Sequence, residues 1–559
     1  MAPIEGSATG RALVRSNTNT FGRSDAAGEG VKLCAVPDSS AQDCRSSSGG
    51  ASFRWLCVAY AFAPLNRSGT HRTLGFVRHL DRLGLRATVL TVESRGEPLD
   101  DSLLAHVPSS TRIVRTPWVD PVHFVKQSLR LGRPAERLAS DGNPRRTREF
   151  RGSTLRRMTH SLHDWLTGLL ITPDSRVGWL PAGIRAAMRT VRVDRPDVLY
   201  STSPYASAHL IAAAVAGWTD LPWVADFRDP WCGNPYVPTR FPSLRALNAA
   251  LERFVVRRAS WVTCTTPTLT ADLIRRYPFL AGRCSTILNG FDRQVTEGVL
   301  PVRPGGRDEL LITHCGQFYG PRSPQVWFSA LRRALASGKD HSRCLRLVLI
   351  GPDRYEGTPL ATLASQAGVA DAVRILGMQP HGTALAYASG SDVLALAGGA
   401  GPGAELQVPQ KLFEYLALRR PILAAVPPGH PVVEILDSAR ADSIVCHPDD
   451  PQALAEAMTC LTDPGRVPSP GVWSGVGAFR REHRAAELAS LFRTLCSARA
   501  ADVSPRRLRS AAHAIKRYRP ASAVYAGALR QPEAHAGPGD PVSGQENTTQ
   551  RSADFAGAV

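Results

Sequence analysis

The 559-residue chain predicts an α/β protein of two doubly wound domains facing a cleft, set between two structureless tails. Three observations predict it. From about residue 53 to 496, short apolar runs alternate with segments whose apolar residues recur at helical spacing. That alternation breaks once, near 292–308, where Pro301, Pro304, Gly305 and Gly306 separate two series. Outside it, residues 1–52 and 500–559 are rich in Ser, Gly, Ala and Arg, lack sustained periodicity, and read as disordered.

In the first series, Trp55–Ala61 is a short apolar run and so a buried strand. A loop with Gly69 follows, then Leu74, Val77, Leu80 and Leu83 set a helix over Thr73–Leu83. Ala87–Val92 is the next strand. Residues 120–160 are an irregular, Arg-rich insertion. Leu155–Ile171 is amphipathic with a basic start, which fits a helix packed on its own domain or one lying on a membrane surface. Val198–Ser201, Trp223–Asp226, Trp261–Cys264 and Ser285–Leu288 complete a first domain over 53–295. The second series runs through Leu310–Cys315, Leu345–Ile350, Val373–Leu376, Val393–Ala397, Ile422–Ala425 and Ser443–Val445. It gives a second domain over 305–496, closed by a final helix. Strands that alternate with helices imply parallel sheets.

Composition narrows the function. A hydrophobic content of 43% suits a globular protein with a sizeable core. The net charge of +19 suggests a polyanion partner, yet only five of the 67 basic residues are lysines and arginine is spread along the whole chain. That fits a codon bias better than a basic groove, so no specific nucleic-acid partner is expected. Attraction to anionic lipid headgroups stays open. The eleven cysteines show no CxxC pair and no metal-like Cys/His spacing, and read as reduced residues of a cytosolic protein. No basic-then-apolar leader opens the sequence. Its longest nearly apolar stretch, Ala206–Gly217, is shorter than the ~20 residues a membrane span needs and is interrupted by His209. The expectation is a cytoplasmic protein, with peripheral contact on the inner membrane face left open.

Chemistry concentrates in Val408–Leu423. Pro409 suits the first turn of a helix, where a missing N–H costs nothing. Lys411 and Glu414 are three apart and share a face near that helix start. A cation there opposes the helix dipole unless an anion joins it, and a carboxylate one turn deeper accepts from hydroxyls. Anion plus hydroxyls describes a sugar nucleotide; a solvent-facing Lys–Glu pair accounts for the same residues. Elsewhere, Gly69 sits where backbone approaches a ligand closely, and His71 and Arg72 follow at a helix start, placed to meet an acceptor or a phosphate. Asp226, Arg228 and Asp229 lie at the carboxyl end of a strand, where doubly wound folds bind ligands. A capping Asp with an Asp–Arg surface pair is the alternative reading of the same residues. Gly316, Gln317 and Arg322 follow the first strand of the second series, and Arg322 has the bidentate geometry that suits phosphate.

Five segments carry a family resemblance: Tyr60–Arg72, Arg195–Pro204, Pro222–Trp231, Ile287–Asp292 and Val408–Leu423. Their order and spacing resemble the retaining glycosyltransferases of family 4, built on the GT-B fold of two Rossmann-like domains. The resemblance implies that the loop at Gly69 closes over the donor phosphates and sugar. It also implies that Glu414 holds the ribose hydroxyls and that Gly316, Gln317, Arg322 and Lys411 surround the diphosphate. Three departures stand out. Many relatives carry a His-Asp in the segment that is Asp226–Asp229 here, where this chain has no such His. They often have an Arg where it has Gln317, and many have a Glu eight positions before Glu414, where it has Leu406 with Glu405 one place off. The missing charge at Gln317 shifts the diphosphate onto Lys411. Asp226, Arg228 and Asp229 become the candidates for orienting the acceptor hydroxyl or the sugar. The resemblance thus implies a hexosyltransferase-type enzyme, retaining and without a metal or other cofactor. It would move a sugar from a nucleotide-sugar donor to a glycan or lipid-linked acceptor in cell-envelope or exopolysaccharide biosynthesis. Two other readings remain: a sugar-nucleotide epimerase of the same fold, and a non-catalytic module that binds polyanions or partner proteins.

Overall fold

The computed structural model describes residues 53–94, 96–123, 154–236, 239–293, 297–337, 343–463 and 471–500. Both expected tails and most of the 120–160 insertion lie outside the described residues.

The first domain runs β1 (Phe53–Ala59), α1 (Ser68–Arg82), β2 (Leu85–Val92), β3 (Arg112–Thr116), α2 (Thr154–Leu170), α3 (Leu180–Asp194), β4 (Val198–Thr202), α4 (Ser207–Thr219), β5 (Trp223–Phe227), α5 (Pro242–Arg258), β6 (Trp261–Cys264), α6 (Pro267–Arg276) and β7 (Cys284–Thr286). Its seven strands are parallel in the order β3-β2-β1-β4-β5-β6-β7. The order reverses between β1 and β4, and at such a reversal the loops on the carboxyl side of the strands leave a crevice.

Both sheet faces are covered, and the period of two along a strand divides them. Leu56 and Val58 of β1 face one layer with Ala187, Ile211, Val255 and Leu269 of α3 to α6. Trp55, Cys57 and Ala59 face the other with Leu74, Val77 and Leu80 of α1.

The second domain runs β8 (Glu309–Cys315), α7 (Pro324–Leu335), β9 (Cys344–Ile350), a small hairpin of β10 (Arg354–Tyr355) and β11 (Thr358–Pro359), α8 (Leu360–Gln366), β12 (Val373–Gly377), α9 (His381–Ser389), β13 (Val393–Ala397), α10 (Lys411–Leu418), β14 (Ile422–Ala425), α11 (Pro431–Ala439), β15 (Ser443–Cys446) and α12 (Pro451–Leu461). Its main sheet is six parallel strands in the order β12-β9-β8-β13-β14-β15.

Four details depart from the sequence reading. The final helix, α13 (Arg481–Ala500), does not complete the second domain: Leu488 and Phe492 pack with the first-domain core, where Phe492 lies 5.6 Å from the Trp55 ring. Strand β3 went unseen because only Ile113 and Val114 are apolar and the strand sits at a half-exposed edge. Helix α10 starts at Lys411 with Gln410 as its cap, so Pro409 lies before the first turn rather than in it. The last strand of the first sheet ends at Thr286, because the carbonyls of Ile287 and Leu288 turn to accept from Arg72.

At the crossover, Asp292 accepts from Arg78 at 2.6 Å, His79 at 2.7 Å and Arg481, tying α1 and the start of α13 to the interdomain segment. A carboxylate facing the guanidinium groups of Arg78 and Arg481 stays ionised, and its pKa lies well below the usual range: burial opposes this, but Arg481 and its neighbours outweigh it.

Candidate active site between the two domains

The wall of the first domain is built on Asp226 at the end of β5. Asp226 is 1% exposed. It accepts from Arg72 Nε at 3.1 Å and Nη2 at 2.8 Å, from Thr202 Oγ1 at 2.9 Å and from Thr263 Oγ1 at 2.8 Å. Arg72 also donates to the carbonyls of Leu288 and Ile287 and to Asn289 Oδ1. Burial alone would raise the Asp226 pKa; Arg72 outweighs it and the carboxyl is held low. Neither side chain is left with capacity to reach a substrate. Asp226 and Arg72 therefore position the wall, and a direct catalytic contact for Asp226, or a phosphate contact for Arg72, is corrected on that ground.

Arg228 and Asp229 are different. Arg228 is 6% exposed; among the described residues its side chain makes no hydrogen bond or ion pair, and its Nε and Nη1 are buried and unpaired. Its backbone is fixed by Ser203 Oγ, which accepts from the amide at 2.8 Å, and by Thr265 Oγ1, which donates to the carbonyl at 2.6 Å. Gly69 is the second residue of α1, and a Cβ there would lie 2.8 Å from Arg228 Nη1 and from Ala61 Cβ. Glycine is thus needed for Arg228 to lie against the helix start. Asp229 is partly exposed; its charge acts on Arg228 and on Tyr319 of the second domain.

The facing wall gathers at the ends of β8 and β12 and the start of α10. Gly316 has φ +121, a region L side chains rarely adopt, and a Cβ there would lie 2.6 Å from Lys411 Nζ. Tyr415 holds α10 to the end of β8 by accepting from the Cys315 amide at 2.9 Å. The Lys411 ammonium donates to Nε2 of buried His314 at 3.2 Å, and His314 Nδ1 donates to the Ala395 carbonyl at 3.1 Å. Burial and the Arg322 guanidinium bring the Lys411 pKa down to about 7. Arg322 is itself buried, donates to Tyr319 OH at 2.6 Å and lies over the Tyr236 ring at 4.5 Å. Gln317 is exposed.

Glu414 does not pair with Lys411. Its Oε1 meets His381 Nε2 at 3.1 Å, and the His381 ring lies 4.5 Å from His71 across the cleft. Burial would raise the Glu414 pKa, but His381, with His71 and Arg481, outweighs it and holds the carboxyl at about 2. Burial and His381 push His71 down to about 4. Glu405 stays exposed, and only its carbonyl takes part, accepting from Thr268 of the first domain at 2.7 Å.

The cleft thus brings Gly69, Arg228 and Asp229 opposite Gly316, Arg322, Lys411 and Glu414, with Asp226 behind and Gln317 at the rim. Sequence reasoning missed His314, His381, Tyr236 and Tyr319. A histidine inside the apolar run of β8 was a visible signal, as was His381 after a strand end and Pro380. Nothing in the sequence marked Tyr236. Among the described residues, no group of three or more His, Cys, Asp or Glu is placed to hold a metal ion, and no helix is long and apolar enough to cross a membrane.

Two parallel doubly wound sheets with a cation-lined cleft between them define a two-domain α/β enzyme of GT-B architecture. Two family models match the chain: Glycosyltransferase Family 4 over residues 147–295 and Glycosyl transferases group 1 over residues 309–463. The protein belongs to the family 4-like GT-B glycosyltransferases. Among solved structures it is similar to sucrose-phosphate synthase from Thermosynechococcus elongatus, at 16% identity and a TM-score of 0.53, covering 80% of this chain and 100% of that one. It is also similar to the N-terminal domain of trehalose-6-phosphate phosphatase from Candida albicans, at 11% identity and a TM-score of 0.51, covering 80% and 98%. At these identities the likeness concerns the fold. No curated protein matches the chain.

Proposed function

We propose that this glycosyltransferase moves a hexose from a nucleotide-sugar donor to a glycan or lipid-linked acceptor in the cytoplasm, in cell-envelope or exopolysaccharide assembly, with retention and without a metal. The observation that carries the donor side is the pairing of Lys411 with Gly316. A lysine whose pKa is lowered by burial and by Arg322 lies against a glycine with no side chain in the way, one turn from a carboxylate kept ionised by His381. A diphosphate fits the first and ribose hydroxyls fit the second.

As the bond from the sugar C1 to the phosphate oxygen breaks, negative charge grows on the leaving diphosphate. Lys411 and Arg322 lie where that charge develops, and preorganised cations of this kind act most in the transition state. The acceptor oxygen bonds to C1 and its proton passes to the departing diphosphate oxygen, which leaves as the nucleoside diphosphate. Asp229, the partly exposed carboxylate of the opposite wall, is suited to orient that hydroxyl. The exposed Leu162, Leu166 and Leu169 of α2 support a peripheral membrane contact for a lipid-linked acceptor.

Calorimetric titration with UDP and GDP tests the reading: one of them is expected to bind, and Lys411→Met to weaken that binding. If neither nucleoside diphosphate binds, the transferase reading falls. Donor turnover with and without membrane extract then separates transfer from rearrangement of the donor alone.

A further inference from the structure

The donor's diphosphate is matched on the second-domain wall by Lys411 and Arg322. Among the described residues, one further cation of the cleft makes no direct side-chain contact with an acceptor. Arg228 stands on the other wall, beside Gly69 and Asp229, where the transferred sugar and the acceptor would lie. Its backbone is pinned from both sides by Ser203 and Thr265, and its Nε and Nη1 are buried without an acceptor; among the described residues the guanidinium makes no direct ion pair, and the neighbouring Asp229 acts on it only through its charge. Asp226, the nearest carboxylate along the chain but one, is already filled by Arg72, Thr202 and Thr263.

Two unpaired guanidinium nitrogens kept out of water are costly, and native proteins satisfy the large majority of such groups. Gly69 leaves room for this guanidinium to lie where it does. A neutral sugar would need only a neutral donor at this place. A planar fork of N–H groups is the partner for a planar or tetrahedral oxyanion.

We propose that Arg228 is a specificity-determining residue that receives an acidic group, a carboxylate or a phosphate ester, carried by the transferred sugar or by the acceptor. The inference rests on the glycosyl-transfer reading above and adds the charge class of its substrate. The enzyme is then selective for acidic over neutral sugars, and the selectivity sits on the first-domain wall, apart from the diphosphate contacts.

The test is calorimetry on the full chain and on Arg228→Gln and Arg228→Lys. The donor arm compares UDP, UDP-glucose and UDP-glucuronate, or GDP, GDP-mannose and GDP-mannuronate, according to which nucleoside diphosphate binds. The acceptor arm titrates the protein saturated with that diphosphate with glucose, glucuronate and glucose 6-phosphate. The expected result is at least a tenfold preference for an acidic probe over its neutral counterpart in one arm, which identifies the source of the anion. Arg228→Gln should lose the preference, Arg228→Lys should keep part of it, and the affinity for the nucleoside diphosphate alone should hold. Because it removes an unpaired buried charge, Arg228→Gln should melt at the same or a higher temperature without ligand. A lower melting temperature would make Arg228 a structural residue and overturn the proposal. So would equal binding of acidic and neutral probes in both arms, or a loss of nucleoside diphosphate affinity in Arg228→Gln as large as the loss of the acidic probe. If no nucleoside diphosphate binds, the transferase reading fails and this inference fails with it; if one binds without acid preference, this inference fails alone.

Discussion

The two walls of the cleft hold similar numbers of charges and use them differently. On the first-domain wall the central carboxylate is spent: Asp226 takes both arms of Arg72 and two threonine hydroxyls, and Arg72 in turn fixes the segment Ile287–Asn289. On the second-domain wall each charged group has one weak or partial partner. Lys411 has a histidine nitrogen, Arg322 a phenol and two rings, and Glu414 a histidine. A saturated network sets shape, whereas a partly satisfied one keeps capacity for a ligand. Charge at a strand end therefore does not identify a contact residue; its remaining hydrogen-bond capacity does.

The largest expected effect breaks the saturated wall. Asp226→Ala leaves Arg72 charged and buried without its partner, which should destabilise the protein by about 3–5 kcal/mol. Denaturant unfolding measures it. Were Asp226 a cleft residue, the same change would leave stability intact and remove activity alone.

The next effect belongs to the open wall. Lys411→Met should lower kcat by on the order of a hundredfold, about 3 kcal/mol of barrier, with an unfolding midpoint that is unchanged or higher, because it removes a buried amine whose charge the fold disfavours. A pH dependence follows from the same residue. The native Lys411 titrates at about 7 and the unfolded one near its ordinary value of 10.5, so between these the unfolded chain binds a proton the native state lacks. Stability of the unliganded protein should therefore rise with pH over that window. Affinity for a nucleoside diphosphate should fall over it, because the anion needs the charged amine. Calorimetry in buffers of different ionisation enthalpy should register proton uptake on binding near pH 8. Lys411→Arg should remove both the uptake and the slope.

Much of the fold was legible because its strands are buried on both faces and read as continuous apolar runs. Trp261–Cys264, Val393–Ala397 and Ile422–Ala425 fall where the periodicity put them. The final helix was legible as a helix but not as part of the first domain, since its sequence carries no mark of which sheet it covers. The site was legible in its residue types and not in their pairing. Lys411 and Glu414, three apart, look like partners, yet His314 and His381, distant in sequence, take one each. Asp226 and Asp229 look alike in the sequence. Only the packing of Arg72 beneath the sheet edge spends the first and leaves the second partly exposed.

A smaller effect separates Glu414 from the cations. Replacing Glu414 with Gln removes the charge that His381 faces and the best acceptor for ribose hydroxyls. It should raise the donor KM by about ten- to a hundredfold, the range expected for hydrogen bonds to a charged group, at about 1.5–3 kcal/mol. The Glu414 carboxyl is held at about 2 against an ordinary 4.5, so its contribution to stability is present above pH 4.5 and is lost as pH falls towards 2. In Glu414→Gln that part of the acid transition should disappear. An unchanged donor KM would assign Glu414 to the His71–His381 contact alone.

The smallest effect concerns Arg322, whose guanidinium lies over Tyr236 of the opposite domain as well as over Tyr319. Arg322→Lys keeps the positive charge and loses the planar group that lies over the two rings. If the role of Arg322 is charge alone, donor affinity and kcat survive this change. If it also holds the walls together, the variant should lose about 0.5–2 kcal/mol of the stacking contribution, and Tyr236→Leu should reproduce that loss without touching the diphosphate. A double-mutant cycle on Arg322→Lys and Tyr236→Leu, read by the unfolding midpoint, decides between them. Additive losses would mean that the rings and the cation act independently, and a smaller combined loss would place the joint between the two walls at this pair.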